Sequence, residues 1–168
     1  MRTHSNPLAS RLVVLLALGA SVAQAQDAPA PTADARVERL LKEVAAEYTV
    51  DEDGDFRLVY DIGGGRSQLV WIPSGTSAFG ALEIRQVWSI AHRSKGPLPV
   101  ELANRLLDRN GAVILGAWLT EPAGDELGVI FAVQVAAETD ALSLRSTIHA
   151  VATTADAMES ELTGQDDF

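Results

Sequence analysis

The sequence predicts an α+β sandwich: one largely antiparallel sheet of about five to six strands with helices packed on one face. Segments alternating apolar and polar residues are joined by short Asp/Gly-rich and Gly-rich connections, which favour hairpins over crossovers. Stretches with helical spacing of apolar residues stand before, between and after those segments. Helices in such places cover one side of a sheet and leave two layers.

The chain opens with a polar start containing Arg2 and Arg11, an apolar stretch Leu12–Ala20, and Ala23-Gln24-Ala25. That order describes a secretory signal peptide, residues 1–25, cut after Ala25. A retained anchor is the weaker reading, because so short an apolar run does not span a bilayer as a helix. Gln26–Ala33, with Pro29 and Pro31, reads as a flexible leader. Residues 34–164 then form a single domain, followed by the acidic tail 165–168.

The first helix begins at Asp34, a capping residue, with Val37, Leu40, Leu41, Val44 and Ala45 on one stripe. Asp53-Gly54 suggests a hairpin with a type I′ turn, and Phe56, Leu58 and Tyr60 share one side of the strand after it. Gly63-Gly64-Gly65 makes the next turn, and Arg66–Ile72 the next strand, its register open because Leu69–Ile72 is apolar throughout. A looser segment, Ser74–Ala81, precedes a strand over Leu82–His92. Pro97 and Pro99 open a helix with the stripe Leu102, Ala103, Leu106 and Leu107, closed by Asn110-Gly111 in the left-handed region. Strands Ala112–Thr120 and Leu127–Val135 follow, then a long helix from Asp140 to Leu162 stopped by Gly164.

Removing residues 1–25 removes two arginines and no acids, so the formal charge moves from −10 to −12. Such a surface repels phosphate backbones and anionic lipids, which argues against nucleic-acid partners and against membrane binding or insertion after cleavage. The chain has no cysteine, so neither a disulfide nor a lipidated cysteine is available.

The leading helix, Tyr48-Thr49-Val50-Asp51-Glu52-Asp53-Gly54, the sheet, and Ala155-Asp156-Ala157-Met158-Glu159 before a Gly-acidic tail ending in Phe168 together resemble the YbjN family. The resemblance spans about residues 36–168. It implies a fold like that of type III secretion chaperones, small non-enzymatic α+β proteins that often pair as homodimers. Members are commonly labelled sensory-transduction regulators. An export signal departs from the usual cytoplasmic members, and the family offers no site residues to transfer.

Chemistry-bearing patterns are sparse. Asp51, Asp53 and Asp55 resemble a calcium loop, but Gly54 falls between the acids and Ile62 takes the closing position, so a solvated turn is expected. Without the signal peptide two histidines remain, His92 and His149, far apart; no metal or other cofactor is expected. No nucleophile elbow occurs, and Gly63-Gly64-Gly65-Arg66 precedes a strand where a phosphate loop would precede a helix. The expectation is a periplasmic or secreted non-enzymatic module, with a homodimer as its expected assembly, that binds a protein or peptide through its open sheet face. The residues expected there are Val59, Val87, Trp118 and Ile130, with Arg57 and Arg85 adding polar specificity. The Ser74–Ala81 segment covering that face is the plain alternative, and a carrier of a small apolar ligand between helix and sheet is the competing function. Mass spectrometry of the exported protein should find Gln26 at its amino terminus; an uncut chain retained in the membrane would overturn the signal-peptide assignment.

Overall fold

The computed structural model describes residues 32–168; the expected signal peptide and residues 26–31 of the leader lie outside them. The elements run α1 (Ala35–Glu43), β1 (Thr49–Val50), β2 (Phe56–Gly63), β3 (Arg66–Ile72), β4 (Ser77–Phe79), β5 (Leu82–Ser94), α2 (Val100–Asn110), β6 (Ala117–Ala123), β7 (Glu126–Ala136) and α3 (Ala141–Thr163). The strands form one antiparallel sheet in the order β1-β2-β3-β5-β7-β6, with β4 pairing the start of β5. The α+β class and helix-on-one-face layering expected from the sequence are therefore observed.

Local chemistry explains the element ends. The Asp34 side chain accepts from the Arg36 amide and caps α1, and Asp140 does the same for α3 through the Ser143 amide. Gly164 closes α3 in the left-handed conformation, with φ 67°. At α2 the expectation fails, since Gly111 has φ −72° and stays right-handed. Asp53-Gly54 does not make a two-residue turn either. Only Gly54 of the pair has positive φ, and residues 51–55 form a longer loop in which Asp51 Oδ1 accepts from the Asp53 and Asp55 amides.

One face of the sheet carries the core. Val37, Leu40 and Leu41 of α1, Leu106 of α2, and Leu144, Ile148, Val151, Ala155 and Met158 of α3 close over Phe56, Leu58, Val70, Ile72, Val87, Trp118, Val129, Phe131 and Val133. The opposite face has no helix among the described residues. It carries a smaller cluster of Ile90, Ile130 and Ala132, with Trp71, Trp88 and Phe168 packed against it.

The facing of β5 and β6 corrects three expected surface residues. Ser89 pairs with Phe131 and Val87 with Val133, which puts Arg85 and Val87 on the helix side; both are buried. Trp118 pairs with Phe131 and is also core. The segment from Ala112 is not one continuous strand. Gly116 has φ +84°, and a side chain there would meet the Ala132 carbonyl at 2.5 Å, so the backbone bends against β7 and the strand starts at Ala117 with new phase. Arg85 is inside because an acid waits for it: its guanidinium pairs with Asp34 at 2.5 Å and donates to the carbonyls of Pro73 and Ser74.

Arg85→Ala leaves the Asp34 carboxylate without its buried partner and should cost about 3–5 kcal/mol in urea denaturation. Trp118→Ala should cost about 3–5 kcal/mol by opening a core void. Val59→Ser, on a side chain 67% exposed, should change stability by less than about 0.5 kcal/mol. A silent Arg85 variant would refute this assignment of faces.

Candidate functional site

The helix-free face is organised by one row of neighbours. Thr49 pairs with Arg57, Arg57 with Trp71, Trp71 with Trp88, Trp88 with Ala132, and Ala132 with Ala117. Directly opposed side chains on a sheet lie in contact, so the row brings two indoles together. Trp71 and Trp88 stack with centroids 4.5 Å apart and planes 6° from parallel. The Arg57 guanidinium lies 6.0 Å from the Trp71 ring centre, within cation–π range. A second row places Ile90 beside Ile130 and Ile130 beside Leu119.

Two hollows flank the indole ridge. One, of about 400 Å³, is bordered by Glu47, Tyr48, Thr49, Arg57 and Val59. The other, of about 300 Å³, lies over Gly116, Ala117, Leu119, Ala132 and Gln134, where small side chains follow large ones along the row. Of the six residues expected on this face, the structure brings Arg57, Val59 and Ile130 together here, with Ile130 buried under the aromatic cluster. Arg85, Val87 and Trp118 are on the other side. Sequence reasoning missed Trp71, Trp88 and Phe168; the two tryptophans in neighbouring strand segments were the available signal. The Ser74–Ala81 segment does not cover the face: Ser77–Phe79 is strand β4, and Phe79 is 80% exposed.

Phe168 reaches this face because the chain after α3 folds around the end of the sheet. Arg66 at the start of β3 anchors it, through Asp156 at 2.7 Å and the Gln165 carbonyl at 2.8 Å. Asp166 accepts from the Ser67 amide, and the Asp167 amide donates to Glu159. The Arg93 guanidinium lies 5.9 Å from the Phe168 ring centre. Carboxylate oxygens of Asp156, Glu159 and Asp166 come within 4.8 Å of one another, and Arg66 supplies the counter-charge among them. The Asp51, Asp53 and Asp55 carboxylates do not converge, since Asp51 holds its own turn and Asp55 accepts from the Ser74 amide. His149 Nδ1 lies 2.8 Å from the Tyr60 hydroxyl, on the helix side.

The perturbed carboxylates are structural ties. The Arg36 side chain, then its amide and Arg85, hold Asp34 well below the usual carboxylate range against the cost of burial. Arg36, with Thr76 assisting, lowers exposed Glu83 to about 2. Burial pushes Glu159 up, only partly offset by the Asp167 amide and by Arg66. Glu159 Oε2 and Arg66 Nη2 sit 3.7 Å apart, both shielded from solvent and without a hydrogen bond.

No protein-family model matches this chain, and no curated protein matches it. Among solved structures it is similar to the crystal structure of YbjN from E. coli, a proposed transcription regulator. The likeness covers 74% of this chain and 88% of that one, with 8% identical residues and a TM-score of 0.46. At that depth it carries no assignment of function.

A carboxyl group raised in the folded state favours folding while protonated, and that advantage fades as pH rises through its folded value. Asp34 has the opposite sign: its contribution is present at neutral pH and is lost as pH falls below the usual aspartate value of 3.8. Glu159→Gln should therefore gain stability relative to the parent as pH rises above 4.5, the ordinary glutamate value, in urea titrations across that range. A stability difference that stays constant with pH would show that Glu159 carries no ionisation penalty.

Proposed function

We propose that the protein is an exported, non-enzymatic interaction module that docks a protein or peptide on the helix-free face of its sheet. The observation that carries this is the Arg57–Trp71–Trp88 row with a hollow on each side. Half-buried aromatic side chains beside an arginine, set in concave surroundings, have the composition of a contact centre. Exposed Val59 and Leu119 extend the apolar surface to the strands on either side. Supporting the non-enzymatic reading, Asp34 and Glu83 are both tied down by Arg36, with Arg85 also on Asp34, while Glu159 lies elsewhere beside Arg66, so the three do not share one site. Export rests on the composition of residues 1–25, and the periplasm is the compartment proposed. Pairing of two copies through the same face is one assembly that this reading admits.

The carrier reading finds less support. The space between helices and sheet is filled by Phe56, Val70, Ile72, Val87, Val129 and Val133, each without solvent exposure. The nearby clefts, of about 330 Å³ beside Arg109 and Glu161 and about 260 Å³ beside Asp61 and Arg145, have charged rims.

A photo-crosslinking amino acid at Val59 or Leu119, activated in intact cells, should yield discrete adducts whose mass separates a second copy from another protein. The same group at Leu142, exposed on α3, should yield none. Adducts at Leu142 with none at Val59 and Leu119 would place the contact elsewhere and end the proposal.

A further inference from the structure

The helix-free face already has an occupant. Ile90 and Ile130 are 3% and 2% exposed on a side that no described helix covers, and Phe168 is one of the aromatic side chains packed against them. The seat for that ring is made by Ile90, Ile130 and Ala132 below and the Arg93 guanidinium beside it. The residues leading to Phe168 are acidic, Asp166 and Asp167, and the Asp166 side chain meets the Ser67 amide. A short acidic segment is thus held through the Asp166 carboxylate, the Asp167 amide and the Phe168 ring, the ring lying on an apolar seat beside Arg93.

Charge points the same way. The chain carries 23 acidic against 13 basic residues, yet the side chains flanking this face include Arg57 and Arg93. Neither forms an ion pair with a described residue; each faces an aromatic ring instead. An unneutralised guanidinium at the apolar seat, Arg93, and a second on the same face over Trp71, Arg57, favour an anionic visitor with a ring on this otherwise acidic protein. The strap is fastened by a few separate contacts at an exposed edge, from Arg66 to the Gln165 carbonyl, the Ser67 amide to Asp166 and the Asp167 amide to Glu159, while the Asp166 and Asp167 residues themselves stay exposed.

We infer that Gln165–Phe168 is an internal strap occupying the seat of a partner segment of the same chemistry, an acidic peptide bearing an aromatic residue, which docks when the strap lifts. This rests on the docking face proposed above and adds its ligand class and its control. While the strap is seated, the competent fraction is small, and affinity for a competing peptide falls by that fraction.

The test uses the full chain and its Phe168→Ala variant, with a fluorescein-labelled peptide Gly-Gln-Asp-Asp-Phe-Gly as probe. Peptides with Ala for Phe, or Asn for both Asp, serve as controls. In low-salt anisotropy titrations the variant should bind the probe about ten-fold more tightly than the parent, as expected for a strap seated about nine-tenths of the time. Both control peptides should bind at least about ten-fold more weakly, and Arg93→Ala added to the variant should abolish the gain. Unchanged far-ultraviolet circular dichroism and tryptophan emission consistent with a folded core qualify the variant. Equal affinities for parent and variant, equal binding of the Ala peptide, or no binding to the folded variant at millimolar probe would each overturn the strap. Adducts at Val59 and Leu119 alongside a silent titration would remove the strap alone; their joint absence would remove the docking face as well.

Discussion

Everything on the sheet depends on the seam between β3 and β5. On one side stand β1, β2 and β3, joined by tight local pairing; on the other stand β5, β7 and β6. The ladder across the seam is centred on the Trp71–Trp88 pair. Side chains reinforce it from both faces. On the helix side the Gln68 amide donates to Ser89 Oγ and to the Ile90 carbonyl, and the Ser89 hydroxyl donates to the Leu69 carbonyl. On the other side the indoles stack. The buried Gln68 amide nitrogen, donating twice across the strand gap while its Oε1 finds no partner, supplements the ladder, and the aromatic pair adds dispersion and a fixed register. The same two rings that form the surface ridge therefore also stitch the sheet, so surface shape and fold integrity are not separable there.

A second knot sets how the helical layer meets the sheet. Asp34 caps α1, binds Arg36, and receives Arg85 from β5, while its own amide donates to Ser74 Oγ. Ser74 in turn donates to the Gly54 carbonyl and, through its amide, to Asp55. One helix start, one turn and the end of β3 are thereby tied to a single buried guanidinium. In an acidic protein this is an economical use of few cations. Arg36, Arg66 and Arg85 each gather several acceptors, whereas Arg57 and Arg93 face aromatic rings.

Much of the architecture was legible because it follows from local periodicity. The strand Arg66–Ile72, the start of β5 at Leu82, and the long final helix with Asp140 and Gly164 at its ends all carry short-range signals. Facing was harder. Along β5, Val87 and Ala91 are apolar on one side and Trp88 and Ile90 on the other, so alternation alone gives two answers; the ion pair to Asp34 decides, and that partner is 51 residues away. Around Gly116 a close backbone approach interrupts what reads as a continuous strand. The indole ridge depends on which β3 residue lies beside which β5 residue. That is a long-range register, and period-2 patterning does not contain it.

The Asp34–Arg85 contact also bears on how the chain survives proteases. Of the described residues ahead of Asp34, neither Thr32 nor Ala33 supplies a hydrogen bond or ion pair to this knot. Once the aspartate itself goes, a guanidinium 2% exposed loses its carboxylate and α1 loses its cap together. Trimming from that side thus meets a threshold at Asp34, where the loss of one residue uncaps α1 and strands a buried charge on β5 at the same moment.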